Sequence, residues 1–249
     1  MVRLLALLCC LAFPAKAEEI VLGLSSDNVA ITTTFDGSDI LIFGAVKRNG
    51  PALTGEPLDV IITVSGPLTP LTVRHKERRM GIWINTDAVE VDAAPSFYAV
   101  ATSAPLSQIL TQTEDLRQRI SIPRAIRSVG ARVDNTADYT DALIRIRSDE
   151  GLYQVRENTI DFEEETLFRT EVSLPANLIE GNYATRIYLT RNGAVVDSYD
   201  SVIAVQKVGI ERWLYNLAHE MPLAYGALSL CIAIMAGWAA SAAFQGARR

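Results

Sequence analysis

Cysteine is scarce in this sequence, with three among 249 residues. Cys9 and Cys10 lie in an apolar N-terminal segment and Cys231 lies in an apolar C-terminal segment, so residues 18–207 contain none. That region can therefore form no disulfide bond, thiolate metal site or cysteine nucleophile. We expect its stability to come from a β-rich core.

Histidine is scarcer still, with only His75 and His219. A zinc or copper site needs several such ligands that converge. A Ser-His-Asp triad would have to use His75, whose cationic neighbours in VRHKERRM disfavour the imidazolium that a general base becomes. The sequence also has no G-x-S-x-G elbow, phosphate-binding loop or dinucleotide fingerprint. We therefore predict no metal, no cofactor and no enzymatic activity.

An excess of positive charge is also missing. Residues 18–207 contain 18 Lys and Arg against 27 Asp and Glu, a net charge of −9. Because nucleic-acid binding requires a basic surface, we predict no nucleic-acid partner. The acidic run DFEEET at 161–166 could collect calcium. It lacks the spaced ligands and the glycine of a calcium loop, so a solvated turn is the simpler interpretation.

The N-terminal segment has the pattern of a secretory signal peptide. It combines Arg3, a ten-residue apolar core and an A-x-A motif that ends at Ala17. We predict a signal peptide over 1–17, removed from the mature protein. A buried N-terminal helix and a lipoprotein signal at Cys9 or Cys10 are the alternatives.

The C-terminal segment 222–244 contains no charged residue. As a helix it would extend about 34 Å, enough to span a bilayer, and it lacks the polar face of a core helix. We predict a transmembrane helix over 222–244. We also predict a cytoplasmic tail over 245–249, because Arg248 and Arg249 follow the span and positively charged flanks are retained on the cytoplasmic side of the membrane. The large domain is then exported.

Between the two ends, short strand patterns alternate with turn signals. The strand patterns are NVAITTTF, ILIFGAV, LDVIITVSG, GIWIN and SFYAVAT over 20–103, and LYQV, NTIDF, LFRTEVSL, YATRIYLT and AVVDSYDSVIAVQKV over 152–207. The turn signals are Asp36-Gly37, Asn49-Gly50-Pro51, Gly66-Pro67 and Arg191-Asn192-Gly193. This mainly β pattern predicts two immunoglobulin-like β-sandwich modules, over 18–104 and 151–208. The echo between GAVKRNGPA and IYLTRNGAV agrees with two modules of similar plan.

Residues 105–150 have helical periodicity and predict a connector that joins the two sandwiches. In LSQILTQTEDLRQRI the apolar positions fall near one face, with Ser107 as the cap and Pro123 beyond the end. DYTDALIRIRSDEG has the same period and Gly151 can close a helix there, although a strand is the alternative.

Residues 209–221 predict an amphipathic juxtamembrane helix. Its apolar stripe consists of Ile210, Trp213, Leu214, Leu217, Ala218 and Met221. Trp213 and Tyr215 suit the headgroup boundary, so we predict that the helix lies on the membrane surface. Packing of the stripe against the second sandwich is the alternative.

Two residue sets are candidate interaction surfaces. Arg74, Lys76, Arg78 and Arg79 form a basic cluster, which is either a solvated hairpin tip or a docking patch for anionic headgroups or an acidic partner. Ser229, Ala233, Gly237 and Ser241 recur every four residues and predict a ridge of small side chains that packs against another membrane helix, unless small residues are merely abundant there. Near the basic cluster, we expect Trp83, Phe97 and Tyr98 to pack in the core.

Long segments of the sequence resemble a known family. KERRMGIWIN, PSFYAVATSAPL, LFRTEVSLPANLIEGNYATRIYLTRNG and YGALSLCIAIMAGW resemble the putative transmembrane protein family of alphaproteobacteria, over nearly all of the mature chain. The resemblance implies a Gram-negative source and a periplasmic exported domain, and it suggests permeases of the sulfite-exporter type as genomic neighbours. No catalytic residue carries over.

These features predict a single-span inner-membrane protein whose periplasmic domain is a non-enzymatic accessory or scaffold subunit. Its expected partners are the lipid bilayer and another membrane protein, such as a sulfite-exporter-type permease, or a second copy of itself. A periplasmic enzyme acting on envelope polymers would instead need paired carboxylates in a cleft. A solute-binding receptor would need a closed apolar pocket.

Overall fold

A computed structural model describes residues 18–26, 28–32, 35–48, 57–127, 136–164 and 166–246. The predicted signal peptide over 1–17 and residues 247–249 of the predicted tail lie outside these ranges. Within them the protein is mainly β, with one apolar helix at its C-terminal end, as the sequence predicts.

The strands form two large sheets and one hairpin. In chain order they are β1 (Glu18–Leu24), β2 (Asn28–Ile31), β3 (Ser38–Arg48), β4 (Leu58–Ser65), β5 (Leu68–Arg79), β6 (Ile82–Pro95), β7 (Tyr98–Thr102), β8 (Tyr153–Arg156), β9 (Asp161–Glu163), β10 (Leu167–Leu174), β11 (Gly181–Arg191) and β12 (Ala194–Lys207). One sheet has the order β1-β3-β10-β9, and the second has the order β2-β12-β11-β4-β7-β8. β5 and β6 form a two-stranded sheet of their own, and β6 also forms a single antiparallel bridge between Ala93 and Arg127.

The strand pairing crosses the predicted boundary between two modules. β3 is antiparallel to β10, with Ile42 opposite Thr170. β4 is antiparallel to β11, with Ile62 opposite Ile187. Strands predicted for the first sandwich therefore share both sheets with strands predicted for the second, and two separate immunoglobulin-like modules are not confirmed. A local pattern identifies a strand but not its partner, because the partner lies far away in the sequence.

The four-stranded sheet buries one face by strict alternation of its side chains. Its buried residues are Ile20, Ile40, Ile42, Val46, Phe168, Thr170, Val172 and Leu174. Hydrogen bonds join this sheet to the six-stranded one on both sides: Arg156 Nη1 donates to the Glu171 carbonyl at 3.0 Å, and the Ile20 amide donates to the Asp197 carboxylate at 3.2 Å. The two sheets therefore enclose a common core.

The central strands of the six-stranded sheet are covered on both faces. Their buried residues include Val60, Ile61, Ile62, Thr63 and Val64 of β4 and every residue of β7. One face meets the four-stranded sheet and helical segments cover the other, where the Tyr98 hydroxyl donates to the Ile120 carbonyl at 2.8 Å and Arg186 Nη1 donates to the Gln118 carbonyl at 3.3 Å. Burial on both faces explains the near-continuous apolar runs in these strands.

The predicted helix over LSQILTQTEDLRQRI is broken into short pieces. They are α1 (Leu106–Ile109), α2 (Gln112–Gln118) and α3 (Ile122–Ala125). Leu110 is extended and Arg119 is left-handed, so neither continues a helix. The predicted cap at Ser107 is wrong, because Thr111 caps α2 instead with a hydrogen bond of 3.4 Å. Pro123 lies inside the first turn of α3 rather than beyond a helix end.

The second segment of the connector is a helix, α4 (Thr136–Asp149). This confirms the helical interpretation over the strand alternative. Gly151 follows it with a φ of +73°, a conformation that favours glycine after a helix end. Leu143 is buried, whereas Ile146 on the predicted apolar face is exposed.

The tight turn between β11 and β12 forms at Asn192-Gly193, as predicted. Both residues have positive φ, +52° and +76°, which matches the twist of a two-residue hairpin. The Gly193 carbonyl also accepts a hydrogen bond of 2.9 Å from the Thr111 amide, so the turn contacts the start of α2.

Gly193→Ala is expected to lower the free energy of unfolding by about 1–2 kcal/mol, because an L-residue is strained at positive φ. An added Cβ would also lie 2.8 Å from Thr111 Cγ2. Thermal unfolding measures the loss. Asn192→Gly is the matched control and should change the stability much less, because glycine adopts this conformation freely. Equal losses of stability in both variants would contradict the assignment of Asn192-Gly193 as a turn with positive φ at both residues.

A smaller compact unit contains the C-terminal helices α5 (Ile210–Glu220) and α6 (Pro222–Gly246). Within it, the Val208 amide donates to the Ile31 carbonyl at 2.9 Å. Both predicted helices are present, but α6 is longer than the predicted 222–244. Gln245 and Gly246, predicted as the start of the tail, still belong to the helix.

Candidate interaction surfaces

The β5–β6 hairpin carries the predicted basic cluster. It turns at Met80-Gly81, whose φ values of +51° and +84° are those of a two-residue hairpin turn. Arg79 pairs with Ile82 and Arg78 pairs with Trp83 across the turn. The basic strand and the GIWIN segment are therefore opposite sides of one hairpin.

The four cations of the basic cluster are brought together and exposed at the end of β5. Because side chains alternate along a strand, Arg74, Lys76 and Arg78 share one face and Arg79 lies on the other. Arg79 forms an ion pair with Glu77 at 3.0 Å, but both side chains are about half exposed or more. Such a surface pair contributes at most about 1 kcal/mol, and Glu77 offsets one of the four positive charges of the cluster.

The end of the hairpin exposes large apolar side chains, a feature that the sequence analysis missed. We call these residues the hairpin tip: Met80, exposed by 104%, Ile82 by 64%, Trp83 by 68% and Ile84 by 36%. The prediction that Trp83 packs in the core is wrong, whereas Phe97 and Tyr98 are buried as predicted. The opposing strand, HKERR, offers charged residues where a core hairpin would have apolar partners. That mismatch is the signal that could have revealed an exposed tip.

His75 lies on the exposed part of β5. Its Nδ1 is 3.3 Å from Thr86 Oγ1, and Asp87 on β6 is its partner in the strand register. His75 and Asp87 line an open cleft of about 440 Å³ against the start of α4, where Asp138 and Tyr139 also lie. The cleft contains both cationic and anionic groups. Among the residues that the structure describes, no three His, Cys, Asp or Glu side chains converge on a metal position.

The acidic run DFEEET begins with β9, Asp161–Glu163. Asp161 forms an exposed ion pair of 3.3 Å with Arg169 on the neighbouring strand β10. Glu164 has a φ of +48°, and Glu165 lies outside the described residues. The first carboxylate of the run is thus engaged by an arginine.

The predicted interface residues of α5, Trp213 and Tyr215, are both exposed, by 54% and 62%. The Tyr215 ring stacks on His219 at a centroid distance of 4.0 Å, and His219 Nδ1 lies 2.8 Å from the Tyr215 carbonyl oxygen. Trp213 lies on the apolar stripe, whereas Tyr215, about 200° further around the helix, lies with His219 near the opposite face.

α6 is an apolar helix. Residues Pro222–Ser241 are long and apolar enough to cross a membrane, and none of this stretch is buried within the protein. The ridge residues Ser229, Ala233, Gly237 and Ser241 lie on it at successive helical turns. Its exposed large side chains include Leu223, Tyr225, Leu230, Ile232, Ile234, Met235 and Trp238. An apolar helix without protein cover is suited to lipid rather than to water.

Sequence comparison places the chain in a protein family. Residues 19–246 match the model of a family described as putative transmembrane protein (Alph_Pro_TM). The chain belongs to that family. The match includes the β-rich domain, the hairpin and both C-terminal helices. Family membership and the exposed stretch of α6 together describe a membrane protein with one candidate span among the residues that the structure describes. No curated protein matches the chain.

Proposed function

We propose that this family member is a non-enzymatic accessory or scaffold subunit of a membrane complex. α6 anchors it in the inner membrane, the β-rich domain lies in the periplasm, and the C-terminus lies in the cytoplasm. The observation that carries the proposal is the ridge of small residues on a helix that, over residues 222–241, has no residue buried within the protein.

The ridge is suited to contact another helix. Residues four apart on a helix are neighbours along one face, so the ridge is continuous over three turns. Because lipid tails are as apolar as the helices, the hydrophobic effect does not drive helix association in a membrane. Association depends instead on close packing of the two backbones, which small side chains permit. An added Cβ at Gly237 would meet no atom within 4 Å, so the helix surface there is open to a partner.

The orientation follows from charge and from the N-terminal sequence. Arg248 and Arg249 follow the span directly, and positive charge is retained on the cytoplasmic side. The predicted signal peptide exports the domain from the opposite end, so the two signals agree. Within that arrangement the partner is another membrane protein, such as a permease of the sulfite-exporter type, or a second copy.

Gly237→Leu is expected to reduce association by about tenfold or more, because a bulky side chain on the ridge separates the two backbones. Crosslinking in native membranes and co-purification in mild detergent measure the effect. Since the position is open within this chain, the variant should insert and fold normally.

Met235→Ala is the matched control for this experiment. Met235 is 63% exposed and lies on the helix face opposite the ridge. Its truncation should leave association nearly unchanged. Undiminished crosslinking of Gly237→Leu would make α6 an anchor only, and the accessory role would then have to reside in the β-rich domain.

A further inference from the structure

We propose that the hairpin tip inserts into the surface of the bilayer in which the chain is anchored, and that the basic cluster holds it there through anionic headgroups. The proposal concerns a second membrane contact and does not depend on the accessory role. It commits to lipid as the occupant, for three reasons that follow from the hairpin itself.

The first reason is the distribution of apolar groups around the tip. Side chains alternate along β6, so Trp83 projects from one face of the hairpin while Ile82 and Ile84 project from the other. Met80 at the turn is fully exposed. A protein groove usually meets one face of a strand pair, whereas a lipid interface surrounds a tip on all sides.

The second reason is charge complementarity. Over six residues on each side of the turn, the hairpin carries four cations, Arg74, Lys76, Arg78 and Arg79, against two carboxylates, Glu77 and Asp87. This local excess stands out in a chain whose net charge is −6. The cations begin directly behind the apolar tip, which is the arrangement that places apolar groups among acyl chains and cations among headgroups.

The third reason is depth. Ile84 lies three residues beyond Gly81, about 10 Å along an extended strand, which matches the shallow depth of interfacial segments. The unpaired edges of β5 and β6 then remain in the hydrated headgroup layer, where water can satisfy their backbone groups. Trp83 lies at the level where tryptophan is enriched in membrane proteins. Because α6 belongs to the same chain, its own bilayer is the surface present at the highest effective concentration.

The test uses the mature full-length chain, one copy per lipid nanodisc, with Trp213→Phe and Trp238→Phe so that Trp83 is the single tryptophan. Discs contain phosphatidylglycerol or phosphatidylcholine, each with and without brominated acyl chains. We expect blue-shifted Trp83 emission that brominated lipid quenches, with a larger quenched fraction in phosphatidylglycerol. Adding Arg78→Gln and Arg79→Gln should lower the ratio of quenched to unquenched Trp83 about thirtyfold in the anionic discs.

A matched control places a single tryptophan elsewhere on the same domain. Phe43 is 43% exposed on the outer face of the four-stranded sheet, so Phe43→Trp combined with Trp83→Phe in the same background should remain unquenched. Circular dichroism checks that each variant is folded. Unquenched, red-shifted Trp83 emission in both lipids would overturn the proposal. A blue shift without quenching would overturn it too, because Trp83 would then be covered by protein.

Discussion

Phe168→Ala is expected to lower the free energy of unfolding by about 3–5 kcal/mol, the cost of removing a fully buried aromatic side chain. Phe168 is 1% exposed and lies on the inner face of β10. Its ring covers Gly44 on the neighbouring strand β3, where an added Cβ would lie 2.4 Å from Phe168 Cζ. No nearby side chain can fill the cavity from the Gly44 position. Urea unfolding followed by far-ultraviolet circular dichroism measures the loss.

Phe43 supplies a matched control on the opposite face of the same sheet. Its ring likewise covers a cross-strand glycine, Gly23, with a Cβ-to-ring distance of 2.4 Å, but it is 43% exposed. Phe43→Ala should therefore cost only about 1 kcal/mol. Equal losses for the two variants would mean that the outer face of the four-stranded sheet is covered as well, and that the sandwich is wrongly assigned.

The protein is expected to lose about 3 kcal/mol of stability between pH 9 and pH 11 from two buried tyrosines, Tyr98 and Tyr153. Burial raises the pKa of Tyr153 to about 12, although nearby Arg147 opposes the shift. Burial also raises the pKa of Tyr98, with Arg186 opposing.

The sign of this dependence follows from proton binding. Unfolded tyrosines ionise near pH 10, whereas the folded state keeps these hydroxyls protonated, so the folded state binds more protons above pH 10. Stability is therefore fully present below about pH 10 and falls by about 1.4 kcal/mol per pH unit for each tyrosine until its folded pKa is reached. Burial raises the pKa of Tyr183 and Tyr188 in the same direction and adds to the loss.

Tyr153→Phe isolates one of these contributions. The Tyr153 hydroxyl donates to the Pro95 carbonyl at 2.8 Å, so the variant should be about 1 kcal/mol less stable at neutral pH. Between pH 9 and pH 11 it should then lose about 1.4 kcal/mol less than the natural protein. Urea unfolding at each pH measures both quantities. An identical pH dependence in the two proteins would show that Tyr153 ionises freely in the folded state.

The helical connector shows where local pattern stops being informative. The periodicity of LSQILTQTEDLRQRI is compatible with one helix, yet the helical conformation is interrupted at Leu110 and Arg119. The carbonyls near the second break accept hydrogen bonds from Tyr98 and Arg186 of the six-stranded sheet. Those partners come from distant strands, so the break could not be predicted from the segment alone.

The sequence by itself determined the strand at Leu167–Leu174, the turn at Asn192-Gly193 and the membrane helix, because alternation, positive φ and apolar length are properties of short contiguous segments. Only the tertiary structure decided that β3 lies beside β10 and that Trp83 is exposed, because both depend on which distant segments supply a partner. The basic cluster was visible in the sequence as charge. The charged strand opposite the hairpin tip was a signal that the tip is exposed, but only the fold decided that none of the described residues covers it, since burial belongs to the whole assembly of elements and not to any one of them.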